Sequence, residues 1–232
     1  MTQTGTNRRK FLVGAGLATA AGAAAFPTPA IAQSTMRWSM VTAWPRNLPG
    51  PGTAAQALAD RITALSGGRI EVELHAAGEI VPGNQVFDAV AEGTAQLYHA
   101  VPAYWGSKSR GILLFGSQPF GLRADEQVGW LTHGGGQALY DEMYGRFGLK
   151  PFLCGNSGTQ WAGWFRQEIK SVEDLQGMRY RTAGFASEMA SRVGMSVEAM
   201  SGPAMFQALQ SGTIDAGEFI GPWSDSALGY YQ

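Results

Sequence analysis

One pattern, Phe-x-Ala-(Val or Leu)-x-x-Gly-Thr-x-(Gln or Asp), occurs twice, at residues 87–96 and again at 206–215. In each copy a short apolar helical run meets a glycine, the residue that most readily takes the left-handed backbone ending a helix, and a strand-like segment follows. Unless the match reflects only common helix-to-strand chemistry, it restricts the chain to two α/β lobes of one plan. Two such lobes facing each other make a cleft that can close on a ligand. The surrounding periodicity agrees. Residues 35–41 and 69–75 alternate like strands. Between them, residues 53–65 place Ala54, Ala57, Leu58, Ile62 and Leu65 on one helical stripe. A helix over 85–91 and a strand over 95–100 complete the first set. An amphipathic stretch over 124–147, broken at Gly134-Gly135-Gly136, leads to expected strands near 149–154, 161–166 and 178–181 and helices over 186–193 and 204–210. The expected fold class is therefore α/β, with lobe 1 at 33–120, lobe 2 at 121–218 and a return toward lobe 1 at 219–232.

Residues 1–32 read as an address. Arg8, Arg9 and Lys10 precede a Gly/Ala-rich apolar run over 11–26, no acid occurs, and Ala30-Ile31-Ala32 ends the segment, as in a cleaved secretory signal. The run is shorter than the ~20 residues of a spanning helix, and Pro27 and Pro29 close it. Asn7-Arg8-Arg9-Lys10-Phe11-Leu12 resembles a twin-arginine export signal, with Asn7 where Ser or Thr is usual; an ordinary Sec signal is the alternative. Either route points to the bacterial periplasm. With 17 Lys and Arg against 18 Asp and Glu, the chain offers no electrostatic case for nucleic acid or an anionic membrane. The single cysteine, Cys154, excludes an intrachain disulfide and a thiolate metal cluster, so ligands are held by oxygen and nitrogen.

Catalytic motifs are not found. His133-Gly134-Gly135-Gly136 resembles an esterase oxyanion loop, but no Gly-x-Ser-x-Gly elbow accompanies it, and the tract reads as a helix break. Gly14-Ala15-Gly16 lacks the third glycine of a dinucleotide fingerprint. His75, His99 and His133 lack metal-site spacing, and no acid pair stands out for general acid–base work, so a periplasmic enzyme remains an unsupported alternative.

Three blocks carry binding chemistry instead. Residues 156–166 gather amides and indoles at a loop-to-strand junction, Leu175-Gln176-Gly177-Met178-Arg179-Tyr180-Arg181 ends a strand on an arginine, and residues 215–223 end another on Glu218. These blocks resemble the extracytoplasmic solute receptors of TRAP transporters, in the branch that binds 2-oxo and 2-hydroxy monocarboxylates with a metal ion. The resemblance runs from about Trp38 to Gln232. It implies a two-lobed periplasmic-binding-protein architecture of the type II kind, no catalytic step, a small carboxylate as ligand, and membrane permease subunits as partners. Members of the family run on past the last block, so the resemblance also implies a C-terminally truncated chain and a homodimer only in a full-length form.

Residue by residue, Arg181 stands where the family pairs an arginine with the ligand carboxylate. A guanidinium supplies a flat two-toothed fork for that contact. Arg179 is expected at the surface, on the opposite face of the strand. Gln160 and Glu218 match the positions that hold Na⁺ or Ca²⁺, with the backbone carbonyl of Phe219 beside them; Phe219 replaces a more usual Trp. Hard cations favour such oxygen donors. Tyr104 and Asn156 are further ligand-binding candidates by position. Trp161 and Trp223, with Trp164 and Phe185, are expected to exclude water and limit ligand size. A receptor of the same fold for another organic acid or a sugar acid is the alternative.

Overall fold

The computed structural model describes residues 34–116 and 118–231; the expected signal segment, 1–32, lies outside them. In chain order, strand β1 (Met36–Thr42), helix α1 (Pro51–Leu65), β2 (Ile70–His75), α2 (Val86–Ala91) and β3 (Leu97–His99) form a three-stranded parallel sheet with β1 in the middle. Two 3₁₀ helices, Pro102–Trp105 and Arg110–Phe115, and a helical pair, α3 (Ala124–His133) and α4 (Gly136–Gly145), follow. The chain then enters a second sheet through β4 (Trp164–Phe165), β5 (Arg179–Arg181), α5 (Phe185–Arg192), β6 (Ser196–Glu198), α6 (Gly202–Ser211) and β7 (Ala216–Gly217). Here β5 lies between β6 and β7, parallel to both, and β4 pairs antiparallel with the outer side of β7.

The sequence echo is thus a structural repeat. Each half winds strand, helix, strand, helix, strand with its first strand in the centre. Helices α2 and α6 both stop at a left-handed glycine, Gly93 with φ 82° and Gly212 with φ 73°, which residues with a Cβ adopt only under strain. The same backbone bond re-forms after each stop, Ala95 N–H to Ala89 O at 3.2 Å and Ile214 N–H to Ala208 O at 3.2 Å. The ladders agree as well. Met40 lies opposite Leu97 and Tyr180 opposite Ala216, at the offset of the sequence echo, so Arg181 and Thr182 occupy the place of Val41 and Thr42.

Burial follows side-chain size. Helix α1 approaches its sheet through the fully buried Ala55 and Ala59, flanked by Leu58 and Ile62 over Met40, Val72 and Leu74. The apolar stripe is therefore turned from the one expected: Ala57 is exposed and Leu65 is 77% exposed, because the smallest residues sit where helix and sheet come closest. The largest cluster centres on Phe87, whose ring meets Trp105 at 5.3 Å, Phe147 at 5.2 Å and Tyr144 at 5.8 Å between centroids. Phe115 stacks on Tyr140 at 4.4 Å and Trp130 at 5.7 Å. Helices α3 and α4, assigned to the second lobe by sequence, thus pack on aromatics that cover the first sheet. The glycine tract separates these two helices, as expected from a helix break.

No strand forms at 149–154. Pro151 has no N–H to donate to a ladder, Phe152 is 67% exposed, and residues 149–161 run without regular structure. The expected strand over 161–166 contracts to Trp164–Phe165. Because Phe87 is fully buried at the centre of its cluster, Phe87→Ala should destabilise the chain by about 3–5 kcal/mol in urea unfolding. A loss below about 1 kcal/mol would contradict this placement.

Candidate functional site

In parallel sheets the loops at the carboxyl ends of the strands carry binding groups, and Arg181 stands at the carboxyl end of β5. Its side chain is only 2% exposed. The guanidinium donates through Nε to Met200 O at 2.9 Å and through Nη1 to Glu218 O, lies 3.8 Å from the Glu218 carboxylate, and covers the Phe219 ring at 5.4 Å. Arg179 differs from it by depth along the strand. Two residues apart, the arginines share a face rather than lying on opposite faces. Arg179 is solvent-exposed and forms a two-toothed pair with Asp215, at 2.6 and 3.0 Å.

Glu218 follows β7. Thr182 Oγ1 donates to its Oε2 at 3.1 Å. Burial pushes the Glu218 pKa up to about 7, against the pull of Arg181 and Thr182 and with some help from the charge of Asp225. Burial disfavours the ionised carboxylate, and a positive charge beside it would favour it. The next carbonyl, that of Phe219, accepts from Gln160 Nε2 at 3.3 Å. One carboxylate, one amide and one backbone carbonyl thereby meet around residues 218–219.

This loop is held from below. Asp225, on helix α7 (Pro222–Ala227), is fully buried and accepts from Ile220 N–H at 3.1 Å and Trp164 Nε1–H at 3.0 Å. Strand β4 reaches β7 because Gly163, at φ 121°, has no side chain; a Cβ there would fall 2.4 Å from Gly217 O. From the first sheet, Trp44 places its ring 6.3 Å from Phe219 and 6.2 Å from Tyr104. Trp44 Nε1–H donates to His99 Nδ1 at 2.8 Å. Burial lowers the His99 pKa, consistent with a neutral ring that accepts on Nδ1. Burial raises the Tyr104 hydroxyl, and the neighbouring Arg181 charge opposes it. Ser224 Oγ–H donates to Pro49 O at 2.9 Å, so α7 also bridges to the loop between β1 and α1.

Beside Arg181 lies a cavity of about 580 Å³ between the first-sheet side, with Tyr104, Trp105 and Lys108, and the second, with Thr182, Ser187 and Met200. Arg181 itself, Gln160, Glu218 and Phe219 are not on its wall.

Of the expected residues, the structure brings together Arg181, Glu218, Phe219, Gln160 and Tyr104. It uses Asn156 locally: the side chain is exposed and accepts from Gly158 N–H at 2.7 Å. Trp161 is 39% exposed, edge-on to Trp164 at 4.7 Å. Trp223 is 72% exposed beside Gly50. Phe185 opens helix α5, partly buried. Sequence reasoning missed Thr182, Asp225, Trp44 and the Met200 carbonyl. The register of the repeat could have found Thr182, the counterpart of the buried Thr42.

Among the described residues no cluster of three or more His, Cys, Asp and Glu could hold a metal. The donors near Glu218 suit a hard cation of low charge demand, Na⁺ or Ca²⁺, whose remaining positions a ligand would fill. Among the described residues no helix is long and apolar enough to cross a membrane.

A buried arginine thus lies beside a desolvated carboxylate, between the carboxyl ends of two like sheets. Residues 40–230 match the model of bacterial extracellular solute-binding protein, family 7, and the chain belongs to that family. It is 41% identical over 194 residues to a monocarboxylate 2-oxoacid-binding periplasmic protein of Nostoc sp., covering 84% of this chain and 53% of the relative. A TRAP periplasmic solute-binding protein of Pseudoalteromonas atlantica with bound sodium and pyruvate superposes with a TM-score of 0.82 at 36% identity, covering 85% of this chain and 60% of that one. A TRAP transporter solute-binding protein of Bordetella bronchiseptica superposes with a TM-score of 0.82 at 35% identity, covering 84% and 58%. It was crystallised as a mixed-occupancy dimer with copurified calcium and picolinate in one active site. The chain thus spans little more than half the length of the relatives it matches.

The Arg179–Asp215 pair gives a pH test. Hydrogen bonds from Arg179 hold the Asp215 carboxyl down, to about 2. A depressed carboxyl stabilises the fold above its unfolded value, near 3.9, and the contribution is lost as pH falls toward about 2. Asp215→Asn should therefore lower the midpoint of thermal unfolding clearly more at pH 7 than near pH 2. An equal effect at both values would contradict the pairing.

Proposed function

We propose that this chain is a periplasmic receptor of a TRAP transporter that captures a small 2-oxo or 2-hydroxy monocarboxylate together with Na⁺ or Ca²⁺. The observation that carries the reading is the juxtaposition of the buried Arg181 with Glu218, Gln160 and the Phe219 carbonyl. In this reading Arg181 takes the ligand carboxylate. Its orientation is already set by bonds to Met200 O and Glu218 O, so little side-chain entropy is lost on binding. Gln160, Glu218 and the Phe219 carbonyl would hold the cation, which supplies positive charge to the ligand's carboxylate and 2-oxygen. Tyr104, Trp44 and Phe219 exclude water and strengthen each polar contact. Asn156, Trp161 and Trp223 would join the wall only if residues 156–161 and α7 move toward the ligand.

The ligands bound by the Pseudoalteromonas and Bordetella proteins support the chemistry, and the signal-like residues 1–32 support export to the periplasm. Ligand bound between the two sheets would favour the closed arrangement by contacts made only there. The loaded receptor would then dock on membrane permease subunits, with no bond made or broken in the cleft.

Thermal unfolding tests the reading. Ligand at about 100 times its Kd stabilises the native state by about 2.7 kcal/mol, so pyruvate should raise the midpoint in sodium or calcium and fail to do so when neither ion is available. Arg181→Lys keeps the charge but loses the fork and should abolish the pyruvate shift. Gln160→Ala should weaken pyruvate binding at least tenfold with little change in the unliganded midpoint, since Gln160 is exposed. An undiminished shift in Arg181→Lys would overturn the assignment.

A further inference from the structure

Asp225 does more than brace the loop above it. Its Oδ1 accepts at 3.1 Å from the N–H of Ile220, and that N–H belongs to the same peptide unit as the Phe219 carbonyl. The unit is trans, so its N–H and C=O point in opposite directions. A carboxylate on the N–H side therefore aims the carbonyl away from itself, to where it accepts from Gln160 Nε2 at 3.3 Å. Gln160, the Phe219–Ile220 peptide and Asp225 form one chain of hydrogen bonds. A negative charge at the end of such a chain polarises the peptide and makes its carbonyl oxygen more negative, as partners behind a metal ligand do.

The charge of Asp225 also enters the balance of the site. Arg181 and Asp225 are 2% and 0% exposed, and the side chain of Glu218 is 13% exposed beside Arg181. Salt screens charges this deep only weakly. All three are felt in one place: burial raises the Tyr230 hydroxyl, Arg181 opposes the rise, and Asp225 and Glu218 add to it. One guanidinium against two carboxylates leaves one negative charge, and a bound monocarboxylate makes two. A calcium ion would cancel both. A sodium ion would leave one uncompensated, which is costly where water is excluded. With Asp225 neutral the balance reverses, because sodium then neutralises the site and calcium leaves a surplus positive charge. Charge count and rigidity of an oxygen donor set tune its affinity for calcium, and Asp225 bears on both.

We infer that Asp225 is the positioning residue that selects the ion: through the Phe219–Ile220 peptide it aims a cation ligand, and its buried charge makes calcium rather than sodium the partner of the bound monocarboxylate. This inference rests on the cation reading above and adds which ion is preferred and which residue decides it.

Equilibrium dialysis of calcium against the chain, alone and with rising sodium as competitor, gives the affinity for each ion; the series is repeated with saturating pyruvate. The unaltered chain is expected to bind calcium more tightly than sodium. Asp225→Asn keeps the shape and leaves one oxygen for the Ile220 N–H, but removes the charge. It should weaken calcium binding by about 10–100-fold and sodium binding by clearly less, so that the preference for calcium falls. Trp164→Phe removes the other bond to Asp225 and keeps the charge, so it should change both affinities alike and preserve the preference. An unchanged preference in Asp225→Asn reduces Asp225 to a brace and overturns the inference alone. Tighter binding of sodium than of calcium by the unaltered chain overturns it whether or not the variants fold. Binding of neither ion by the unaltered chain, with pyruvate or without, overturns the cation reading and this inference with it.

Discussion

A guanidinium held at 2% exposure sets the terms for everything around it. Taking such a charge out of water costs several kcal/mol unless its donors are matched and its charge is answered nearby. The answer comes from three directions: the Met200 carbonyl before α6, the Glu218 carbonyl and carboxylate after β7, and the face of Phe219. Those groups are fixed in turn by Asp225, which ties Ile220 to Trp164, and by Thr182, which holds Glu218. The site is thus a shell built around one charge. Burial raises the Glu218 pKa although Arg181 lies beside it.

The duplicated winding explains where that charge sits. Each half presents the carboxyl ends of its parallel strands on one edge, and Trp44, Phe219 and Tyr104 bring the two edges within aromatic contact. The counterpart of Arg181 in the first half is Val41, part of the apolar core. One copy of the unit therefore places an apolar core residue where the other places a buried charge. The two copies share their secondary structure but not their chemistry.

Legibility in the sequence followed locality. The echo was readable because a helix stop at glycine is a short-range event, and Gly93 and Gly212 do adopt the left-handed backbone it requires. Arg181 and Glu218 were readable as charged residues ending strands. Asp225 was not, because nothing in Pro222-Trp223-Ser224-Asp225 distinguishes a buried carboxylate from a helix-surface one until Trp164 and Ile220 fold against it. Thr182 is hidden as an ordinary hydroxyl, and Asn156 shows how an amide near a loop can also satisfy a neighbouring N–H. The face of α1 was misjudged by favouring leucine over alanine where close approach decides burial. Residues 149–154 looked extended in composition but have no ladder to join.

If cation and carboxylate bind as one unit at Arg181 and Glu218, as proposed, linkage between them shows it without reference to any variant. Calcium binding to the chain would be measured by equilibrium dialysis with and without saturating pyruvate, and pyruvate binding with and without calcium. The account predicts that each ligand strengthens the other by the same factor, as reciprocity demands of coupled sites. Calcium affinity unaffected by pyruvate would contradict it.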